Sequence, residues 1–154
     1  MEFPSHTTSH QLIHQLLSTF CELPCNDKTR ITCKTAERVY PHLYEVVRET
    51  INNHSVAFSG MDKQLGCGVF LEGADFKNVA DSMVTDGLLN WGRVVSLIAF
   101  CCYVTKKRIL EDGVKCDVGE LAEKLAKYFD DELKETLKVL GGWVSLCSYS
   151  HFQT

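Results

Sequence analysis

The chain has 154 residues, 45% of them hydrophobic, and carries 16 basic against 20 acidic side chains for a formal net charge of −4. That length and balance predict one soluble globular domain over 1–154 with an ordinary apolar core. They exclude a nucleic-acid partner, because no basic face or run of like charge is available to neutralise phosphates.

Helical periodicity governs nearly the whole chain. Leu12, Ile13, Leu16, Leu17 and Phe20 share one face and predict an amphipathic helix ending before Pro24. A polar turn over Asn26–Thr32 follows. Ala36, Val39, Tyr40, Leu43, Val46, Val47 and Ile51 predict a second helix, broken or kinked at Pro41 and ended by Asn52-Asn53. Gly60, Gly66, Gly68 and Gly73 mark Ser59–Gly73 as loop with at most a short helix. Phe76, Val79, Ala80, Met83 and Val84 predict a third helix closed by Asp86-Gly87. The next helix starts after Asn90 and runs to about Leu110. Its stretch Val94–Val104 is apolar except for Ser96, so it belongs inside the core, and it is shorter than the ~20 residues a membrane span needs. After a turn over Glu111–Lys115, the stripe Val118, Leu121, Ala122, Leu125, Phe129, Leu133 and Leu137 predicts one long helix stopped by Gly141-Gly142. Trp143, Leu146 and Tyr149 begin a last short one. No alternating strand pattern competes. A helix apolar all round must be wrapped by the amphipathic ones, which predicts an all-α bundle with the Val118–Leu137 helix antiparallel to the central one.

Chemistry-bearing residues are sparse. The 8 cysteines include no C-x-x-C pair, so no zinc spacing is present, and they read as small buried hydrophobes of a reducing compartment. Cys67 or Cys147, if exposed, would be able to join two chains. His6, His10 and His14 recur every four residues on a face read as frayed and solvated rather than metal-binding. No metal or cofactor is expected, and no enzyme: Cys25 and His42 form an imaginable pair that nothing orients. No signal peptide is expected before the first helix, and no tail anchor after Trp143.

The local sequence Asn90-Trp91-Gly92-Arg93 breaks two rules. Asn90 is a good N-cap. Arg93 then falls in the first helical turn, where the dipole disfavours a cation by a few tenths to ~1 kcal/mol. Gly92 gives up ~1 kcal/mol of helix propensity and leaves a bare patch another backbone can approach. A helix end offering a cation beside a bare patch describes a binding surface.

The stretch Asp86-Gly87-Leu88-Leu89-Asn90-Trp91-Gly92-Arg93-Val94-Val95 resembles the first homology motif of the Bcl-2 apoptosis regulators. Gly141-Gly142-Trp143 resembles their second. The spacing from Gly87 to Asn90 and the run Val95–Phe100 are similar to the Mcl-1 and A1 branch. The resemblance extends from Phe76 to about Tyr149, and more weakly over residues 10–24. It implies a Bcl-2-like helical bundle with a central hydrophobic helix and a surface groove that receives BH3 helices of pro-apoptotic proteins, a helix-in-groove mode. By that resemblance Arg93 pairs with the ligand's aspartate, Gly92 admits the small residue beside it, and Asn90 adds a polar contact. Val95 and Phe100 form the floor, Val79 and Met83 one wall, Leu43 and Val47 another. Leu43, Val47, Val79 and Met83 fit ordinary core equally well. Trp91 and Trp143 are expected to pack structurally.

The family's own BH3 motif has only a degenerate counterpart here, Ala36-Glu37, with Thr32 where leucine belongs and Pro41 close behind. A killer member must expose that segment, so the poor copy points to an anti-apoptotic protein that sequesters BH3 helices. The competing expectation is a pore-forming pro-apoptotic member. A short, untethered, diverged chain of this type resembles virus-encoded homologues, cytoplasmic and recruited to mitochondria. An exposed apolar groove also makes a homodimer that covers part of it a secondary expectation.

Overall fold

The computed structural model describes residues 4–23, 30–64, 75–85, 90–111 and 118–149, and all regular structure among them is helical. The elements are α1 (Pro4–Phe20), α2 (Lys34–Gln64), α3 (Asp75–Thr85), α4 (Trp91–Lys106), α5 (Val118–Asp131) and α6 (Lys134–Leu140). A π-helical turn, Lys107–Glu111, extends α4, and a 3₁₀ helix, Trp143–Ser148, follows α6. The chain divides into two compact units, one of residues 1–45 and 117–149, the other of 46–116 and 150–154.

The first unit is organised by α1 packed along α5. Leu12, Ile13, Leu16 and Leu17 are fully buried, as are Leu125, Ala126 and Phe129, so the two expected stripes form its core. α1 stops by a left-handed turn. Leu23 N donates to Ser18 O at 2.9 Å and Glu22 N to Thr19 O at 3.2 Å, with Glu22 at φ 59°. This is the Schellman pattern, with glutamate where glycine is usual.

The predicted Val118–Leu137 helix is two helices. α5 ends at Asp131 and α6 starts at Lys134, with Glu132 N and Leu133 N both donating to Tyr128 O. The apolar stripe survives the break, since Leu133 and Leu137 are both buried. Periodicity alone therefore runs straight through it. Gly141-Gly142 terminates α6 as expected. Gly142 N donates to Leu137 O at 2.7 Å and Gly141 N to Lys138 O at 3.1 Å, with φ of 99° at Gly141 and 78° at Gly142.

Of the two expectations for α2, the break at Pro41 fails and the end at Asn52-Asn53 holds. Pro41 sits inside the helix without distorting it, and the non-helical residue is His54 (φ −123°, ψ 18°). Pro41 is exposed, so water can replace the bond its missing N–H forgoes. Asn52-Asn53 close the first helical segment as expected, because His54 directly after them is non-helical, and a second segment continues to Gln64. The continuation is held from beyond the kink: Phe58 is buried, with its ring 5.5 Å from Phe100 and 5.9 Å from Tyr103.

In the second unit α3 packs against α4. α4 buries Val94, Val95, Leu97, Ile98, Ala99, Phe100, Cys101, Cys102, Val104 and Thr105, as expected of a helix enclosed on nearly all sides. The loop glycines Gly66, Gly68 and Gly73, the turn at Asp86-Gly87, residues 112–115, and Cys25, Cys67 and Cys116 lie outside the described residues.

Candidate binding surface at the start of helix α4

Asn90 is the N-cap of α4, in extended conformation, and its Oδ1 accepts from Arg93 N at 3.1 Å. That bond satisfies one of the amides a helix start leaves without partners. It also fixes the register of the turn: Trp91, Gly92 and Arg93 are its first three helical residues. Gly92 therefore sits in the first turn and not in the helix interior, so its propensity cost is smaller than the sequence suggested.

Arg93 is half-buried, and among the described residues no carboxylate lies within ion-pairing distance of its guanidinium. A cation held at the positive end of a helix without a counter-ion is a standing electrostatic mismatch. An incoming carboxylate relieves it through charge-assisted, bidentate hydrogen bonds that arginine is shaped to make.

The remaining residues expected at the site fall into groups. Val79 and Met83, on α3, are half-buried and offer apolar surface to solvent. They share the second unit with Asn90, Gly92 and Arg93. Val47, Val95 and Phe100 belong to that unit too but are essentially inaccessible, with the Phe100 ring against Phe58. Leu43 is equally buried and belongs to the first unit. Phe58 and Tyr103, the aromatic pair beside Phe100, do not stand out from the sequence. Their signal is hidden because Phe58 lies beyond the asparagines that look like a helix end.

The segment around Ala36-Glu37 is held down. Gln11 Oε1 accepts from both Thr32 N and Cys33 N at 2.8 Å, and Gln11 Nε2 donates to Thr32 Oγ1 at 2.8 Å. Ala36 and Val39 are buried, while Thr32 precedes the first helical residue, Lys34. Trp91 and Trp143 are both buried, in keeping with structural roles.

The imagined Cys25–His42 pair has no support at its described member, because His42 Nε2 donates to Tyr149 O at 2.8 Å. At His10 and His14 the histidine face of α1 is packed and not solvated. His14 is buried and its Nε2 lies 3.0 Å from Glu123 Oε1, while His10 Nδ1 lies 3.1 Å from the same oxygen. Burial raises the Cys101 thiol to about 12, so it stays protonated and unreactive.

Residues 43–143 match the family of apoptosis regulator proteins described as Bcl-2. Over 73 residues the chain is 33% identical to "Anti-apoptotic protein NR13" of Gallus gallus, covering 47% of this chain and 41% of that protein. Over 71 residues it is 31% identical to "Bcl-2-related protein A1" of Bos taurus, covering 44% of this chain and 40% of that protein. The chain thus spans about two fifths of the length of the curated relatives it matches. Among solved structures, the Trichoplax adhaerens trBcl-2L2 crystal structure bound to trBak BH3 superposes with a TM-score of 0.77 at 20% identity, over 94% of this chain and 97% of that one. The zebra-fish pro-survival protein NRZ in complex with Bad BH3 gives 0.67 at 22% identity, over 94% and 93%.

Proposed function

Since this chain belongs to the Bcl-2 family of apoptosis regulators, we propose that it is an anti-apoptotic member that sequesters BH3 helices of pro-apoptotic proteins in a groove beside the start of α4. The observation that carries the proposal is Arg93, half-buried and without an acidic partner among the described residues. It awaits the aspartate of an amphipathic ligand, next to a glycine that lets the ligand backbone approach. Val79 and Met83 supply accessible apolar surface. Val47, Val95 and Phe100, in the same unit as Arg93, form the lining beneath, reached when the ligand's anchors displace the surface side chains. The pinning of Thr32 and Cys33 by Gln11 supports a survival role, because it opposes release of the chain's own BH3-like segment. The relative named anti-apoptotic points the same way.

The proposal extends to context. The protein acts without catalysis, protects the mitochondrial outer membrane by capturing its ligands, and is a virus-encoded homologue, in line with identities of only 31–33% to the curated relatives. Residues 1–154 act as one domain, and a homodimer covers part of the groove in the absence of ligand. No helix among the described residues is long and apolar enough to cross a membrane.

Calorimetric titration with a panel of BH3 peptides tests the reading. Arg93→Ala is expected to weaken the tightest peptide by roughly 1.5–3 kcal/mol, the worth of a hydrogen bond to a charged group. Equal affinity in the wild type and the variant would remove Arg93 from the site, and no binding to any peptide would overturn the function.

A further inference from the structure

We propose that His10, His14 and Glu123 form a binding site for a divalent cation of the zinc type, fastening α1 to α5. The site lies wholly within the first unit and is independent of the BH3-binding reading. His10 and His14 are one helical turn apart on α1, with rings nearly parallel (15° between planes, centroids 6.0 Å apart). Two histidines at this spacing on one helical face are the usual way a helix supplies a pair of imidazole ligands. Glu123 comes from α5 and is distant in sequence, so the constellation exists only in the folded chain.

The distances suit a metal. One carboxylate oxygen, Glu123 Oε1, lies 3.1 Å from His10 Nδ1 and 3.0 Å from His14 Nε2. The three ligand atoms all fall within 4.8 Å of one another. Bonds of roughly 2.0–2.2 Å in a tetrahedral zinc site place neighbouring ligand atoms about 3.4 Å apart. Side-chain rotations that bring the two imidazole nitrogens together by roughly an ångström would therefore admit the ion. Two imidazoles and one carboxylate make a donor set that favours zinc over calcium or magnesium, which prefer all-oxygen sites.

The surroundings also fit. His10 Nε2, the ring nitrogen that would not bind the metal, lies 3.8 Å from Asp130 Oδ2. A carboxylate on that side of the ring is the kind of outer partner that orients a ligating histidine, here at a distance longer than a hydrogen bond. His14 is buried, whereas the Glu123 side chain is 58% exposed, so the ion has a rigid inner wall and an open approach from solvent. The fourth position would hold water. Bound metal would join two helices whose ligating residues are 109 positions apart in the chain, stabilising the folded form in proportion to occupancy.

The test is zinc titration of the reduced full chain by competition with a chromophoric chelator, repeated on Glu123→Gln and His10→Gln. The expected result is one zinc bound at micromolar or tighter affinity, a melting midpoint that rises with zinc and falls back with chelator, and a loss of at least tenfold in affinity in each variant. Glu123→Gln changes a surface group without changing its shape, and circular dichroism of that variant separates lost binding from lost fold. Cobalt substitution distinguishes the site from the cysteines: tetrahedral bands without thiolate charge transfer are expected. Binding weaker than millimolar, binding unchanged in Glu123→Gln, or a thiolate spectrum would each overturn the proposal.

Discussion

The indole of Trp143 donates from Nε1 to the hydroxyl of Ser9 at 2.9 Å, with both residues buried. The bond ties the 3₁₀ helix after α6 to the first helix, and Phe129 packs its ring 5.4 Å from the same indole. A buried indole N–H needs an acceptor, and Ser9 is the one the fold provides. Ser9→Ala leaves that donor unsatisfied and is expected to cost about 1–3 kcal/mol. Urea unfolding of the variant checks it. A loss well under that range would mean that the indole finds another acceptor.

Asn90→Ala removes the cap of α4 and is expected to destabilise the protein by about 0.5–2 kcal/mol. Asn90→Ser or Asn90→Asp should recover most of the loss, because each offers an oxygen to Arg93 N. The Asn90→Asp change would also place a carboxylate near Arg93, so affinity for BH3 peptides should fall while stability holds. Denaturation and peptide titration on the same samples separate the two effects.

The two left-handed helix ends should respond in opposite directions. Gly141 has φ 99°, and a Cβ there would come within 3.0 Å of Ser145 Cβ. Gly141→Ala is therefore expected to cost ~1–2 kcal/mol in conformational strain, with crowding of Ser145 in addition. Glu22 already bears that strain at φ 59°. Glu22→Gly should stabilise by about 0.5–1 kcal/mol, the left-handed penalty less the extra entropy glycine loses on folding. Thermal melts of both variants test the pair.

Cys33 is expected to react well before the buried Cys101. Burial raises the Cys33 pKa, but hydrogen bonds from Thr8 and from the amides of Ala36 and Thr35 at the start of α2 outweigh it and hold the group below the ordinary 9.0. The folded chain thus favours the thiolate. Its contribution to stability is present above the ordinary thiol pKa and is lost as pH falls through the lower folded value. Timed alkylation near neutral pH with peptide mapping should show Cys33 modified well before Cys101, whose buried thiol is pushed up to about 12. Equal rates would contradict both assignments.

Periodicity, caps and glycines make much of this molecule legible in advance. The α1 and α5 stripes, the enclosed α4, the Asn90 cap and the Gly141-Gly142 stop follow local rules, and each is written in a few adjacent residues. The cation at Arg93 stands out because it violates such a rule, and a violation is visible without a structure. The apolar residues assigned to the groove are harder. Leu43, Val47, Val95 and Phe100 carry the same pattern whether they line a surface or fill a core, since helical spacing gives a face and not what meets it.

What only the tertiary structure decided depends on residues far apart in the chain. The placement of the second segment of α2, after the kink at His54, rests on Phe58 packing against Phe100 and Tyr103, which no local propensity encodes. The break between α5 and α6 is silent in the stripe because Leu133 and Leu137 remain buried on both sides of it. His10 and His14 look solvated in the sequence because their partner, Glu123, is more than a hundred positions away. The sequence by itself determined which faces are apolar and where most helices begin and stop, through short-range sterics and hydrogen bonding. The fold decided which polar groups meet, because burial brings together side chains whose pairing leaves no periodic trace.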